Sequence, residues 1–214
     1  MYSSKGNQHL FVVPARTKGA VLTELKSKKP GNYGYRFKTN FNYGNTLKDN
    51  TEAIYNYNLP FKSGTAFKIS QGYNGTKTHQ NEFALDFSMP IGTPIFSIRE
   101  GIVVKVVDHN TKTCYKKECS KFNNILLVYH KNGTFSEYSH IHTNSALVKP
   151  GDKITKGQLI AKSGNIGFSS GPHLHLVVFN QKIDKRETFK TKFKINDGTK
   201  AIYLEEKEMY SRNY

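Results

Sequence analysis

This chain reads as an all-β protein. Its apolar residues come in short runs broken by Gly, Asn and Lys turns, and few segments carry the period of 3.6 that an amphipathic helix needs. Aromatic residues make up 13% of the sequence, as 13 Tyr and 14 Phe with no Trp, so much of the apolar content sits in side chains that favour a pleated, half-buried surface. At 214 residues the chain can bury a core, either as one generous domain or as a domain of about 130 residues with an accessory piece.

Residues 1–58 alternate short apolar runs (Leu10-Phe11-Val12-Val13, Val21-Leu22, Tyr33-Gly34-Tyr35-Arg36-Phe37) with turn residues, which reads as a β-rich N-terminal extension without a complete core of its own. Leu59-Pro60-Phe61 marks the boundary to a main domain over residues 59–185. Strands are expected there at Phe67–Ser70, Phe83–Phe87, Pro94–Ile98, Gly101–Val107, Asn124–Tyr129, Thr134–His140, Leu159–Ala161 and His173–Phe179. Strand alternation turns Phe83, Leu85 and Phe87 inward and Asp86 to the opposite face. Asn132-Gly133 is a strong two-residue hairpin signal, and if the strand after it persists, Tyr138, His140 and His142 share one face. Val148–Ala161, with its Pro150-Gly151-Asp152 turn, reads as scaffold. Residues 186–214 read as one more hairpin, around Lys190–Lys194 and Asn196-Asp197-Gly198, followed by a charged tail.

The formal net charge of +16 implies a polyanionic partner or environment: nucleic acid, anionic lipid or an acidic cell-wall polymer. The lysines are scattered and no stretch interleaves basic and aromatic residues as an RNA-binding signature does, which sets nucleic acid aside. No apolar run approaches the ~18 residues of a membrane span, and Met1-Tyr2-Ser3-Ser4-Lys5-Gly6 opens no hydrophobic signal core. The two cysteines, Cys114 and Cys119, lie in a Lys-rich loop. They could close a small disulfide in an oxidising compartment or stand as free surface thiols, and no further ligands lie nearby to make a zinc site of them.

The histidines carry the chemistry. In Gly171-Pro172-His173-Leu174-His175 two imidazoles stand two residues apart on a strand, hence on one face and ~6–7 Å apart along the backbone. That spacing suits one histidine holding a metal and the other touching what the metal activates, but such pairs also arise by chance on sheet surfaces. Asp86, a carboxylate wedged between Leu85, Phe87 and Met89, is either a solvated group or a ligand, since charges inside apolar runs are usually paired. Taken singly, His79 is an ordinary loop histidine and His140 a surface one. His9, His109, His130 and His142 lack a partnering motif, and Tyr138 reads as a core residue seeking a hydrogen-bond partner.

Taken together, His79, Asp86, Tyr138-Ser139-His140 and His173-Leu174-His175 resemble the lysostaphin-type (LytM-like) zinc metallopeptidases, a family of cell-wall endopeptidases. The resemblance runs from about Leu59 to Phe179. It includes Met89-Pro90-Ile91-Gly92-Thr93-Pro94, Glu100-Gly101-Ile102-Val103, Pro150-Gly151-Asp152, Gly157-Gln158 and Ser163-Gly164-Asn165. One departure is the six residues between His79 and Asp86, where many members have three; this bears on loop shape more than on ligand identity.

The resemblance implies a mostly antiparallel, two-layer β scaffold in which His79, Asp86 and His175 coordinate one zinc ion. Two imidazoles and a carboxylate leave the open fourth position that a catalytic zinc needs. His140 and His173 would be the catalytic pair, with His173 as base and His140 as stabiliser of the tetrahedral oxyanion. The implied function is hydrolysis of amide bonds in the cross-links or stem peptides of peptidoglycan, outside the cytoplasm, with the leader already removed and with anionic wall polymers as further partners. The alternatives are an inactive cell-wall or polyanion-binding relative, and a secreted protease acting on glycine-rich proteins.

Overall fold

A computed structural model describes residues 55–214 without a break and, before them, residues 11, 13–14, 17–24, 30–32, 34, 39 and 41–46. The chain divides into two units, Met1–Phe41 and Asn42–Tyr214. In the first, the Thr17 amide and hydroxyl both donate to Pro14 O. Val21 and Leu22, expected within a short strand, are exposed irregular chain. Leu10 and Val12 of the first expected run, and Tyr33, Tyr35, Arg36 and Phe37 of the third, lie outside the described residues.

The second unit is built on one antiparallel sheet. Its strands run in the order Met209–Arg212, Thr65–Gln71, Ala84–Phe87, Leu174–Gln181, Thr134–Ser139, Ile125–Tyr129, Gly101–Val107 and Lys153–Ile154, and Arg186–Thr188 pairs with the far end of Leu174–Gln181. Alternation gives the sheet two apolar faces. One carries Ile69, Leu85, Phe87, Val103, Leu126, Val128, Tyr138, Leu174, Leu176 and Val178 into the main core. Two small sheets cover that face: Pro94–Phe96 with Leu159–Lys162, and Asn56–Tyr57 with Lys192–Ile195 and Lys200–Tyr203. They bring Ile95, Ile160, Tyr57, Phe193 and Ile195 into the same cluster, which makes the second layer. Each fully buried side chain of this kind is worth about 1.5–3 kcal/mol in area removed from water.

The opposite face carries a smaller cluster of Ala84, Leu127, Phe135, Val177 and Phe179. Gly44, with φ +74, crosses it so closely that a Cβ there would lie 2.9 Å from Phe135 Cζ. Farther along this face, in register, stand Asp86, His175 and Ser139 on three neighbouring strands. The site is thus raised on the face that the core does not use.

Segments on either side of residues 59–185 join the same unit. Tyr57 is buried in the core and its strand pairs in parallel with Lys192–Ile195, so the chain is part of the second unit before Leu59 is reached. The expected hairpin forms from Lys192–Ile195 and Lys200–Tyr203, but the charged end is no free tail. Met209–Arg212 pairs with Thr65–Gln71, and Arg212 donates to Leu59 O and Phe61 O. No helix among the described residues is long and apolar enough to cross a membrane.

Candidate metal centre

Asp86 lies between two strands that also contribute to the site: His175 is its partner on one side and Gln71 on the other. Simple alternation would turn Gln71 inward with Ile69. A bulge between Ile69 and Gln71 instead turns Gln71 onto Asp86, and its Nε2 donates to Asp86 Oδ2 at 3.1 Å. Its Oε1 accepts the amides of Lys77 and Thr78, and its Nε2 also reaches Thr78 Oγ1 at 2.6 Å. One buried amide therefore ties the carboxylate to the loop that carries His79.

That loop supplies His79 from a run of turns. The His79 amide donates to Gly75 O, its carbonyl accepts from Glu82 N, and Asn81, at φ 60, returns the chain to the strand. The long spacing to Asp86 is taken up in this turn. His79 is fully buried, and its Nδ1–H donates to Gly72 O at 2.9 Å, which leaves the Nε2 lone pair to face inward.

The three groups meet. His79 Nε2 lies 3.2 Å from Asp86 Oδ1 and 3.2 Å from His175 Nδ1, which itself lies 3.0 Å from Asp86 Oδ1. A tetrahedral zinc with bonds of ~2.0–2.1 Å holds its ligand atoms about 3.3–3.4 Å apart, close to this triangle. The donor chemistry agrees. With His79 Nδ1–H committed to a carbonyl, its Nε2 is an acceptor set against a carboxylate oxygen and a second ring nitrogen, and a cation satisfies all three at once.

Two further histidines border the triangle. His173 Nε2 is 3.7 Å from Asp86 Oδ1, and its Nδ1–H donates to Gly171 O at 2.8 Å, with Ser169 Oγ also 3.3 Å away. His140 does not continue the strand as expected. The strand ends at Ser139 and His140 takes φ 63, a left-handed conformation that swings its ring away from the core face used by Tyr138. Its ring centroid lies 4.6 Å from that of His173 and 6.0 Å from that of His175, and its Nδ1–H donates to Ile166 O at 2.7 Å.

Burial and neighbours separate the titrating groups. Burial opposes the charge on Asp86, but the hydrogen bond from His175 outweighs it and holds the carboxyl well below the usual carboxylate range. Burial likewise opposes the charge on His175, and the bond to Asp86 overcomes it and raises the ring. Burial, then the neighbouring His173 and His175, push His140 down to about 3. Burial lowers His173 against the pull of Asp86. The rings of His140 and His173 are therefore neutral near pH 7.

The remaining histidines lie elsewhere. His142, on the expected shared face, is exposed past the strand end, and His109 is exposed. His130 is buried and bonded to Glu100 O and Ser136 Oγ, and His9 lies outside the described residues. Tyr138 is a core residue whose hydroxyl accepts the Ile98 amide at 2.9 Å. Sequence reasoning missed Gln71 and the carbonyls of Gly72 and Ile166. Only Gln71 left a signal, as a polar side chain at an inward position of an alternating strand.

Comparison with known proteins gives a consistent set of likenesses. The sequence pattern described as peptidase family M23 matches residues 80–186, beginning one residue after His79. An uncharacterized metalloprotease of Buchnera aphidicola subsp. Baizongia pistaciae is 32% identical over 141 residues, which is 63% of this chain and 34% of that protein. The peptidoglycan DD-endopeptidase ShyA of Vibrio cholerae is 38% identical over 90 residues, 42% of this chain and 18% of that protein. Among solved structures, the catalytic domain of the antimicrobial peptidase lysostaphin from Staphylococcus simulans is 24% identical with a TM-score of 0.41, covering 65% of this chain and 87% of that one. The matched stretches span about a third or less of these two curated relatives.

Proposed function

The chain belongs to peptidase family M23, and on that premise we propose that it is a zinc-dependent endopeptidase hydrolysing amide bonds in the peptide cross-links or stem peptides of bacterial peptidoglycan, outside the cytoplasm. The observation that carries the proposal is the triangle of His79 Nε2, Asp86 Oδ1 and His175 Nδ1, with sides of 3.0–3.2 Å, bordered by two neutral imidazoles. Relatives such as the DD-endopeptidase ShyA support the substrate class. The net charge of +16 suits a polymer carrying carboxylates or phosphates, and the Cys114–Cys119 disulfide suits an oxidising compartment.

Zinc held by the three ligand atoms would polarise the scissile carbonyl and lower the pKa of a bound water toward ~7. The chain's own residues handle the proton. His173, its Nδ1–H held by Gly171 O, presents an Nε2 lone pair 3.7 Å from the Asp86 carboxylate, so a proton arriving at Nε2 is stabilised by that charge. His173 is thus the base that takes the proton of the attacking water and returns it to the leaving amine.

His140 is assigned differently from the sequence expectation. With Nδ1–H bonded to Ile166 O and the ring neutral, its Nε2 is an acceptor, which orients a water O–H or a substrate N–H rather than donating to an oxyanion. In this tautomer it aligns the nucleophile beside the base.

The test is release of peptide fragments from purified peptidoglycan by the zinc-loaded protein and by His173→Ala. The wild type releases fragments. His173→Ala keeps its zinc and loses about 10²–10⁴-fold in rate, the usual weight of a general base. Equal release by both, or none by a zinc-replete wild type, defeats the reading and leaves a wall-binding protein.

A further inference from the structure

The segment 164–171 supplies the Nδ1 partners of both non-ligand histidines: Ile166 O for His140 and Gly171 O for His173. These carbonyls fix each ring's tautomer and the aim of its Nε2, so a displacement of the segment displaces both. On its outer side it is held by the Lys-rich loop, which has little core of its own. Of residues 111–122 only Cys119 is buried, while Lys112, Lys116, Lys117 and Lys121 are all exposed like charges.

The loop is nonetheless firmly attached. Thr113–Cys114 pairs in parallel with Gly167–Phe168, Gly167 N donates to Lys112 O at 2.8 Å, and Thr113 Oγ1 donates to Asn165 O. Tyr115 packs on Phe168 with ring centroids 5.5 Å apart. A two-residue parallel pairing does not persist alone in water. Here the Cys114–Cys119 disulfide joins that strand to a 3₁₀ helix, Lys117–Phe122, and the helix ends on Asn123. The Asn123 Oδ1 accepts the Phe168 amide at 2.8 Å. Gly167, at φ +89, packs so tightly that a Cβ would lie 2.7 Å from Asn123 Cα. The next residue, fully buried Asn124, closes the base of the loop through Asn110 and donates to Ile141 O, beside His140.

We propose that the disulfide-closed loop, acting through Asn123, is a positioning element for His140: it clamps Gly167–Phe168 so that the Ile166 carbonyl holds the imidazole in its Nδ1–H tautomer. This rests on the reading of His140 as part of the peptidase site. Asn123 touches neither substrate nor metal and acts only through the backbone it bonds.

The experiment uses the full zinc-loaded chain as wild type, Asn123→Ala, Asn123→Asp and the double variant Cys114→Ser/Cys119→Ser. It measures zinc per chain, melting temperature, the His140 tautomer by long-range ¹H–¹⁵N spectroscopy, and kcat and KM on peptidoglycan fragments. The expected result is retained zinc and folding in all four. In Asn123→Ala and the double variant His140 passes from one tautomer to a mixture, and kcat falls on the order of 10²-fold with KM held, as for a small misplacement of a catalytic group. Asn123→Asp, which keeps an acceptor oxygen, restores both. An unchanged His140 tautomer in Asn123→Ala and the double variant overturns the proposal, as does loss of zinc and of cooperative unfolding together with the tautomer, which would make the loop a general support of the fold. The tautomer is read without turnover. A wild type that cuts no peptidoglycan, with the tautomer shift still seen in Asn123→Ala and the double variant, would therefore defeat the peptidase reading and leave the clamp standing.

Discussion

Replacing Gln71 by Met, which keeps the volume of the side chain and removes its amide, isolates the bond that orients Asp86. The Gln71 Nε2–H donates to Asp86 Oδ2 at 3.1 Å, and the carboxylate is nearly closed to water. A hydrogen bond to a charged group is worth about 1.5–3 kcal/mol. Loss of an outer partner of a metal ligand costs about 10–100-fold in affinity, or about 1.4–2.7 kcal/mol, so two independent estimates coincide. The Lys77 and Thr78 amides also lose their acceptor, but both residues are exposed and water replaces it at small cost. The effect therefore concentrates on the metal. Competition with a chelator of known zinc affinity should show the dissociation constant of Gln71→Met raised about 10–100-fold, at unchanged stoichiometry. An affinity equal to that of the wild type would refute the view that this amide aims the carboxylate.

Two further outcomes follow from buried polar groups away from the triangle. Burial pushes His130 down to about 4, below its ordinary value of 6.5, so the unfolded chain binds the extra proton between these limits. Stability is then full above pH 6.5 and falls as pH drops toward 4, by up to about 3 kcal/mol; urea unfolding across that range should show a steeper loss in the wild type than in His130→Gln, and equal slopes would contradict the assignment. Tyr138→Phe strands the Ile98 amide in a dry core and should cost about 1–3 kcal/mol of unfolding free energy. Zinc stoichiometry and kcat should not change, whereas a fall in kcat of tenfold or more would show that the hydroxyl reaches the reacting groups.

Much of the sheet was legible because strand alternation is a local property. Gly101–Val107 begins and ends where its apolar run does, and Gly133, at φ 96, makes the turn that Asn132-Gly133 announces. The edge strand Met209–Arg212 was not legible: its partner, Thr65–Gln71, is far away in sequence, and the charged residues before it mimic a tail. At the site, the side chains could be found by their chemistry and order, but two backbone irregularities decided their aim. The bulge before Gln71 and the left-handed turn at His140 each move a residue to the face opposite the one alternation assigns. The carbonyls of Gly72 and Ile166 carry no residue-type signature, so the tautomers they fix, and with them the role proposed for His140, became readable only in three dimensions. The cysteine pair was open between thiols and a bridge until the loop brought the two Cα atoms to 6.0 Å.

The central claim is that one zinc ion is gripped by His79, Asp86 and His175. Anomalous diffraction at the zinc absorption edge, on crystals of the zinc-loaded protein, tests it directly. The account predicts one peak per chain, ~2.0–2.2 Å from His79 Nε2, an Asp86 carboxylate oxygen and His175 Nδ1. A stoichiometric zinc bound by other groups, with these three atoms left out, would contradict it.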